Sequence, residues 1–177
     1  MADVSFENRV AIVTGAGNGL GKAYALELAE RGAKVVVNDL GGAVDGSGSA
    51  NSPADDVVNE IIENGGEAVA NYDSVATKDG GESIVQTAVD SFGTVDAVIN
   101  NAGILRDKSF ANMTEEEFSL IIEVHLKGTY FVTQPAFKIM KENNYGRIVN
   151  VASPSGIFGN FGQTNYGCLL YTSDAAD

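Results

Sequence analysis

Short apolar runs alternate with amphipathic segments along most of this chain. Val10 to Val13 form a run without a polar residue, which is typical of a strand buried on both faces. Apolar residues at helical spacing follow and end at Gly32, and a second run rich in β-branched residues covers 34–38. This order predicts a strand, a helix and a second, parallel strand.

The same alternation continues to residue 152. The later elements predicted by this periodicity are helices at 54–64, 78–91 and 114–142 and strands at 67–71, 95–99 and 146–152. Residues 41–52 are rich in glycine and serine without periodicity, and predict a mobile surface loop. Five strands alternating with helices predict an α/β fold of the Rossmann type, a doubly wound parallel sheet that binds ligands at the carboxyl ends of its strands.

Composition and charge narrow the classes of partner. The length of 177 residues suits one domain. With a formal net charge of −13 we expect neither nucleic acid nor membrane as a partner, because both require a basic protein face. The first residues lack the basic and apolar parts of a signal peptide, so we expect an intracellular protein. With a single cysteine and a single histidine, we expect no metal site.

A glycine-rich segment joins the first strand to the first helix. The candidate cofactor-binding residues in it are Gly15, Asn18, Gly19, Leu20 and Gly21. Glycines here allow a tight turn in which backbone amides and a helix N-terminus face a pyrophosphate. Asp39 ends the second strand about 20 residues later, where a carboxylate accepts hydrogen bonds from the adenosine ribose. Either feature alone fits an ordinary turn, but the two together favour a dinucleotide site.

Asp39 also affects the choice of cofactor. A carboxylate at this place repels a ribose 2′-phosphate, and no arginine follows nearby to bind one. We therefore expect NAD as the cofactor in preference to NADP.

Two further motifs make a resemblance to a known family specific. The turn has the spacing G-x-x-x-G-x-G, and Asn-Asn-Ala-Gly at 100–103 follows the fourth strand. Ser153 follows the fifth strand, and Tyr166 lies thirteen residues after it. In these features the chain resembles the short-chain dehydrogenase/reductase family.

The resemblance implies roles for these residues. Asn101, Ala102 and Gly103 would line the cofactor pocket. Tyr166 would be the general acid/base for the substrate oxygen, and Ser153 would hydrogen-bond and orient that oxygen. Taken singly, each of these residues also fits a purely structural role.

A narrower likeness runs through five more segments, NDLGG at 38–42, ANYDSV at 70–75, GILRD at 103–107, VHL at 124–126 and GIFGNFGQ at 156–163. They resemble the (3R)-hydroxyacyl-CoA dehydrogenase subgroup, which forms one unit of type 2 peroxisomal multifunctional enzymes and has bacterial relatives. This likeness implies that Asp73, Ser74 and Val75 lie near the adenine. His125 stands where the wider family usually has asparagine, a replacement that the subgroup shares; a packed helix histidine without a chemical role fits equally well.

The subgroup implies an activity for the parent protein, the NAD-dependent oxidation of a (3R)-3-hydroxyacyl-CoA in fatty-acid β-oxidation. Other short-chain reductases, acting on 3-oxoacyl-carrier-protein or steroid substrates, remain alternatives, as does a fragment that binds dinucleotide without catalysis. The resemblance also implies a homodimeric parent, located in peroxisomes if eukaryotic and in the cytoplasm if bacterial. The expectation of dimers does not extend to the fragment.

The end of the sequence departs from this likeness. The family places a lysine four residues after the tyrosine to stabilise the phenolate, whose usual pKa is about 10, and Leu170 stands there instead. Residues 168–177, CLLYTSDAAD, resemble the translation of a sequencing adaptor. We expect an NAD-binding domain fragment at 1–167, with about five of the family's seven strands, followed by a non-native tail at 168–177. The chain as written would then be catalytically inactive.

Overall fold

Five parallel strands form one sheet in the computed structural model, which describes residues 4–42, 45, 47 and 52–167. The strands are β1 (Val10–Thr14), β2 (Lys34–Asn38), β3 (Glu67–Asn71), β4 (Ala97–Asn100) and β5 (Arg147–Asn150), in the order β3-β2-β1-β4-β5. The chain moves outward from β1 to β3 and then returns to β4 on the other side of β1. The predicted Rossmann-type parallel sheet is therefore confirmed, and its switch point lies between β1 and β4.

Helices cover both faces of the sheet. They are α1 (Gly19–Glu30), α2 (Ser52–Glu63), α3 (Lys78–Phe92), α4 (Glu115–Ile121), α5 (Gly128–Glu142) and α6 (Pro154–Phe158). One core cluster joins α1 and α2 to residues such as Val13 and Val35, and the other joins α3 and α5 to residues such as Ile12 and Val36. The alternation follows from strand geometry, because successive side chains point to opposite faces.

The predicted bounds of the strands hold for some strands and differ for others. Strands β2 and β3 match the prediction, whereas β4 begins at Ala97 instead of residue 95. Asp96 there uses its carboxylate to accept from the Val10 backbone N–H at 2.9 Å, so a side chain takes part in the contact with β1. The helix predicted at 114–142 is present, but a π-helical segment, Ile122–Lys127, separates α4 from α5.

Several predictions fall on residues that the structure does not describe. Most of the predicted loop at 41–52 lies outside the described residues, and so do Leu170 and the proposed tail at 168–177. Among the described residues, none of the helices combines the length and the apolar character that a membrane span requires.

Candidate dinucleotide and catalytic site

The glycine-rich turn follows β1 at the switch point of the sheet. Gly15 and Gly19 have positive φ angles of 63° and 56°, which glycine adopts at little cost. A Cβ atom on Gly15 would lie 2.8 Å from Cα of Ala102, and one on Gly21 would lie 2.1 Å from the carbonyl oxygen of Gly15. The turn is thus folded tightly on itself and against the segment after β4. At Gly19, by contrast, an added Cβ would meet no atom within 4 Å.

Two side chains fasten this turn to the segment after β4. Thr14 Oγ1 accepts hydrogen bonds from the backbone N–H groups of Asn101 at 3.1 Å and Ala102 at 3.0 Å. Asn101 Nδ2 donates in return to the carbonyl oxygens of Thr14 and Gly15, both at 3.0 Å. The Asn-Asn-Ala-Gly segment therefore sets the shape of the turn through its amide side chain and its backbone.

Asp39 lies at the carboxyl end of β2 and connects two neighbouring loops. Its Oδ2 accepts from the backbone N–H of Gly17 at 2.7 Å, and its Oδ1 accepts from that of Gly41 at 2.7 Å. A Cβ atom on Gly17 would lie 2.8 Å from Oδ2 of Asp39. The carboxylate is therefore held at the edge of the turn, where the sequence predicts a ribose.

A network of polar side chains fixes Asp73 after β3. Asn38 Nδ2 donates to the Asp73 carbonyl oxygen at 2.9 Å, and Asn71 Nδ2 donates to its Oδ2 at 3.0 Å. Ser83 Oγ also donates to this carboxylate at 2.7 Å. Asn38 and Asn71 are buried, and these bonds satisfy part of their capacity. The predicted adenine segment is thus built on two buried amides.

One cleft of about 400 Å³ brings the predicted cofactor residues together. All twelve of them line it, namely Gly15, Asn18, Gly19, Leu20, Gly21, Asp39, Asp73, Ser74, Val75, Asn101, Ala102 and Gly103. The sequence analysis missed seven further lining residues, namely Asn38, Leu40, Gly42, Ala76, Ile104, Leu120 and Val124. The first two flank Asp39 in its motif and could have been chosen on that ground. Leu120 and Val124 come from the α4 region, where no sequence signal distinguishes them from core residues.

Ser153 and Tyr166 lie outside the group of described residues that lines this cleft. Ser153 is the N-cap of α6, and its hydroxyl accepts from the Ser155 backbone N–H at 3.3 Å. Tyr166 lies in the helical residues 164–167. Its ring meets the His125 ring edge-on, with centroids 5.1 Å apart and planes at 73°. The tyrosine thus contacts the π-helical segment directly.

His125 connects that segment to the wall of the cleft. Its Nε2 lies 3.1 Å from the backbone nitrogen of Ile104 and 2.9 Å from the carbonyl oxygen of the same residue. Nε2 accepts from the N–H when it carries no proton and donates to the oxygen when it carries one, so in the neutral ring the tautomer decides which bond forms. Burial of the imidazole lowers the pKa of His125 below its usual value, against a smaller opposing effect of the hydrogen bond to Ile104. The neutral ring is therefore favoured.

These features fit a dinucleotide, although none of the described residues that line the cleft is basic. The first turn of α1 offers backbone amides, which bind phosphate where the helix dipole also favours negative charge. The amides of Ala16 and Gly17, earlier in the glycine turn, already donate to the carbonyl oxygen of Asn38 and to Oδ2 of Asp39. The carboxylate of Asp39 stands at one side, and the Asp73 segment lies beyond β3. The cleft lies at the carboxyl ends of the strands, beside the switch point, where sheets of this type bind nucleotides.

Comparison with known proteins agrees with this geometry. A profile of the family described as short chain dehydrogenase matches residues 9–168. The peroxisomal hydratase-dehydrogenase-epimerase of Saccharomyces cerevisiae is 58% identical over 93% of this chain, which covers 18% of that protein. The chain therefore spans about a fifth of the length of this relative.

Two solved structures are similar as well. A short chain dehydrogenase from Mycobacterium avium has a TM-score of 0.85 and 44% identity, covering 95% of this chain and 60% of its own. The full-length peroxisomal multifunctional enzyme type 2 from Drosophila melanogaster has a TM-score of 0.77 and 46% identity, covering 95% of this chain and 26% of its own.

Proposed function

The chain belongs to the short-chain dehydrogenase family, and we propose that it is the dinucleotide-binding part of an enzyme that oxidises a (3R)-3-hydroxyacyl-CoA to the 3-oxoacyl-CoA in fatty-acid β-oxidation. The observation that carries the proposal is that all twelve residues that the family pattern marks for the cofactor line the same cleft. The identity of 58% to a peroxisomal hydratase-dehydrogenase-epimerase supports the substrate class.

A nicotinamide dinucleotide is the cofactor that the family and the fold imply, and we propose NAD as the specific form. The amides of the first turn of α1 would hold its pyrophosphate, and Asp39 its adenosine ribose. A 2′-phosphate at that place would face a carboxylate, and none of the described residues that line the cleft is basic. NADP would therefore bind more weakly.

Catalysis in the parent would combine hydride loss with proton loss from one alcohol. The bound nicotinamide supplies the acceptor for the hydride that leaves C3 of the substrate. Tyr166 would take the hydroxyl proton as general base, and Ser153 would orient the substrate oxygen by a hydrogen bond. The C3–H and O–H bonds would break as the carbonyl forms, with the hydroxyl proton passing to Tyr166.

The chain as written would not turn over at the parental rate. A phenol with an ordinary pKa of about 10 is a weak base at neutral pH, and Leu170 replaces the lysine that the family uses to stabilise the phenolate. Loss of one general acid/base contribution lowers turnover by roughly 10²–10⁴-fold.

The setting of the parent follows from the same likeness. We propose a homodimer that packs through the α4 to α5 region and the tyrosine helix, with an acyl-CoA as its small-molecule substrate. The similarity to peroxisomal enzymes supports a peroxisomal location if the parent is eukaryotic, and we propose a cytoplasmic location if it is bacterial.

Two measurements test this function separately. Isothermal titration of the 177-residue chain with NADH and NADPH should show tighter binding of NADH, and Asp39→Ala should reduce that difference. A longer protein that carries residues 1–167 and a natural continuation should oxidise (3R)-3-hydroxybutyryl-CoA with NAD and leave the (3S) isomer unchanged. Preference for NADPH, or for a carrier-protein or steroid substrate, would show that another short-chain reductase is the correct assignment.

A further inference from the structure

Two buried amide side chains hold the segment that carries Tyr166. Gln163 is 8% exposed and Asn165 is fully buried, although amide side chains usually face solvent. Both bond to the loop between β4 and α4, whose first residues line the cofactor cleft. We propose that Gln163 and Asn165 are positioning residues, which fix the start of the tyrosine helix against the wall of that cleft.

Gln163 connects three separate parts of the chain. Its Nε2 donates to Oδ2 of Asp107 at 2.9 Å. Its Oε1 accepts from Ser155 Oγ and from Asn160 Nδ2, both at 2.9 Å. The side chain thus ties α6 and the segment after it to the loop that follows β4. Because Gln163 and Tyr166 are three residues apart, one helical turn transmits this tie to the tyrosine.

Asn165 forms a second tie immediately before the tyrosine. Its Nδ2 donates to the carbonyl oxygen of Arg106 at 3.2 Å, and its Oδ1 accepts from the Tyr166 backbone N–H at 2.8 Å. A backbone bond from Lys108 N–H to the Gly162 carbonyl oxygen, at 2.8 Å, runs beside it. Three successive loop residues therefore hold the segment that leads to Tyr166.

The same loop is tied to Tyr166 by a second route. Ile104 lines the cleft and bonds to the imidazole of His125, and that ring lies edge-on to the ring of Tyr166. The phenol is therefore positioned relative to the cleft wall from its backbone side, through the amides, and from its ring side, through His125. Loss of one amide contact would leave a buried polar group unsatisfied, which costs more than the bond itself contributes.

The inference rests on the proposed function only in taking Tyr166 as the general acid/base. The hydrogen bonds of Gln163 and Asn165 to the loop between β4 and α4 exist whether or not the cleft binds NAD. Absence of NADH binding would therefore count against the proposed function and leave the positioning role untouched.

The single histidine of the chain provides a direct measure of the tyrosine position. In a ¹H–¹³C spectrum, the imidazole resonances of His125 carry a ring-current shift from Tyr166, because the rings meet edge-on. Tyr166→Leu removes this shift and so defines its full size. Asn165→Ala and Asp107→Ala should each lose most of it. Asp107→Asn should keep it, since an amide oxygen can still accept from Gln163.

Asn112→Ala is the matched control. Its amide donates to Ser109 Oγ at 2.8 Å on the exposed side of the same loop region, so the His125 resonances should stay as in the native chain. Asp107 is exposed, so its replacement leaves the core intact even if Asn165→Ala disturbs folding. Native His125 resonances in Asp107→Ala would overturn the role of Gln163, and a Tyr166→Leu spectrum identical to the native one would overturn the whole proposal.

Discussion

At the scale of single residues, close contacts within the glycine turn determine the shape of the cleft. The glycine turn packs so tightly that a Cβ atom on Gly15 would collide with the backbone of Ala102, and one on Gly21 with the backbone of Gly15. Thr14 and Asn101 then use their polar groups on the backbone of the turn, which leaves the amides at the start of α1 to a ligand. An anion can therefore be bound by a strongly acidic chain.

Gly21→Ala should weaken dinucleotide binding by roughly 5- to 150-fold. The new Cβ would lie 2.1 Å from the Gly15 carbonyl oxygen, so the turn must open, at a cost of about 1–3 kcal/mol as in other overpacked sites. Isothermal titration with NADH would detect the loss. Gly93→Ala is the control: its Cβ meets nothing within 4 Å at φ +84°, at the end of α3, so it should cost stability and leave binding intact. Equal affinities in both variants would contradict this prediction.

His125 should make stability depend on pH. Burial lowers its pKa in the folded chain, whereas the unfolded chain protonates near the usual value of about 6.5. The unfolded state therefore binds the proton first, and the free energy of unfolding should fall as pH drops below about 6.5. The fall is at most about 1.4 kcal/mol per pH unit and ends once the pH is below the pKa of the folded chain. Urea unfolding at about pH 7.5 and 5.5 should show a smaller drop for His125→Asn. Identical drops would show that this histidine is not responsible.

Residues with a fixed spacing could be predicted from the sequence, and residues brought in by packing could not. The glycines and Asp39 belong to one strand-turn-helix-strand unit, so their distance in the chain encodes their distance in space. Leu120 lies on α4 and Val124 on the π-helical segment, and packing of this helical region brings both to the cleft. Gln163 and Asn165 gain their role from partners 56 and 59 residues away, which no local pattern reveals.

Among the helices and strands, too, local sequence patterns predict some features and miss others. Strands β2 and β3 were predictable to the residue, because runs of β-branched or small apolar residues end at polar ones. The π-helical segment Ile122–Lys127 was not, because the sequence pattern placed it inside one continuous helix at 114–142. In the structure, that segment carries His125 between the cleft wall and Tyr166. Its place at a candidate active site agrees with the frequent use of such segments at functional positions.

The start of α4 should depend on one threonine. Thr114 Oγ1 accepts from the Glu117 backbone N–H at 3.2 Å, and Glu117 Oε2 accepts from the Thr114 N–H at 3.0 Å, which forms a capping box. Thr114→Ala should lower the free energy of unfolding by about 1 kcal/mol, and Thr114→Ser should recover most of it. Chemical denaturation measures both. An alanine variant as stable as the native chain would mean that the cap contributes nothing.

The whole molecule has an uneven surface. Helices α1 and α2 cover one face of the sheet, α3 and α5 cover the other, and the central strands β1 and β2 are almost fully buried. At the edge of the sheet opposite β3, every residue of β5 is exposed. In the described part of the chain, β4 is the strand that pairs with β5. Ile148 and Val149 are 39% and 51% exposed, although they alternate between the two faces of the sheet. Among the described residues, the β5 edge therefore combines exposed apolar side chains with no further paired strand, a combination that favours association between chains.

Val149→Lys should reduce self-association. A lysine on an edge strand opposes pairing with a second edge, because its charge would have to be buried. Light scattering of the native chain should show an apparent mass that rises with concentration, and the variant should show a shallower rise. Ile62→Lys is the matched control. Ile62 is 54% exposed on α2, which packs against β2 and β3, so this variant should associate as the native chain does. If both lysines act alike, net charge is the cause; if only Val149→Lys acts, the β5 edge is the surface through which the chains associate.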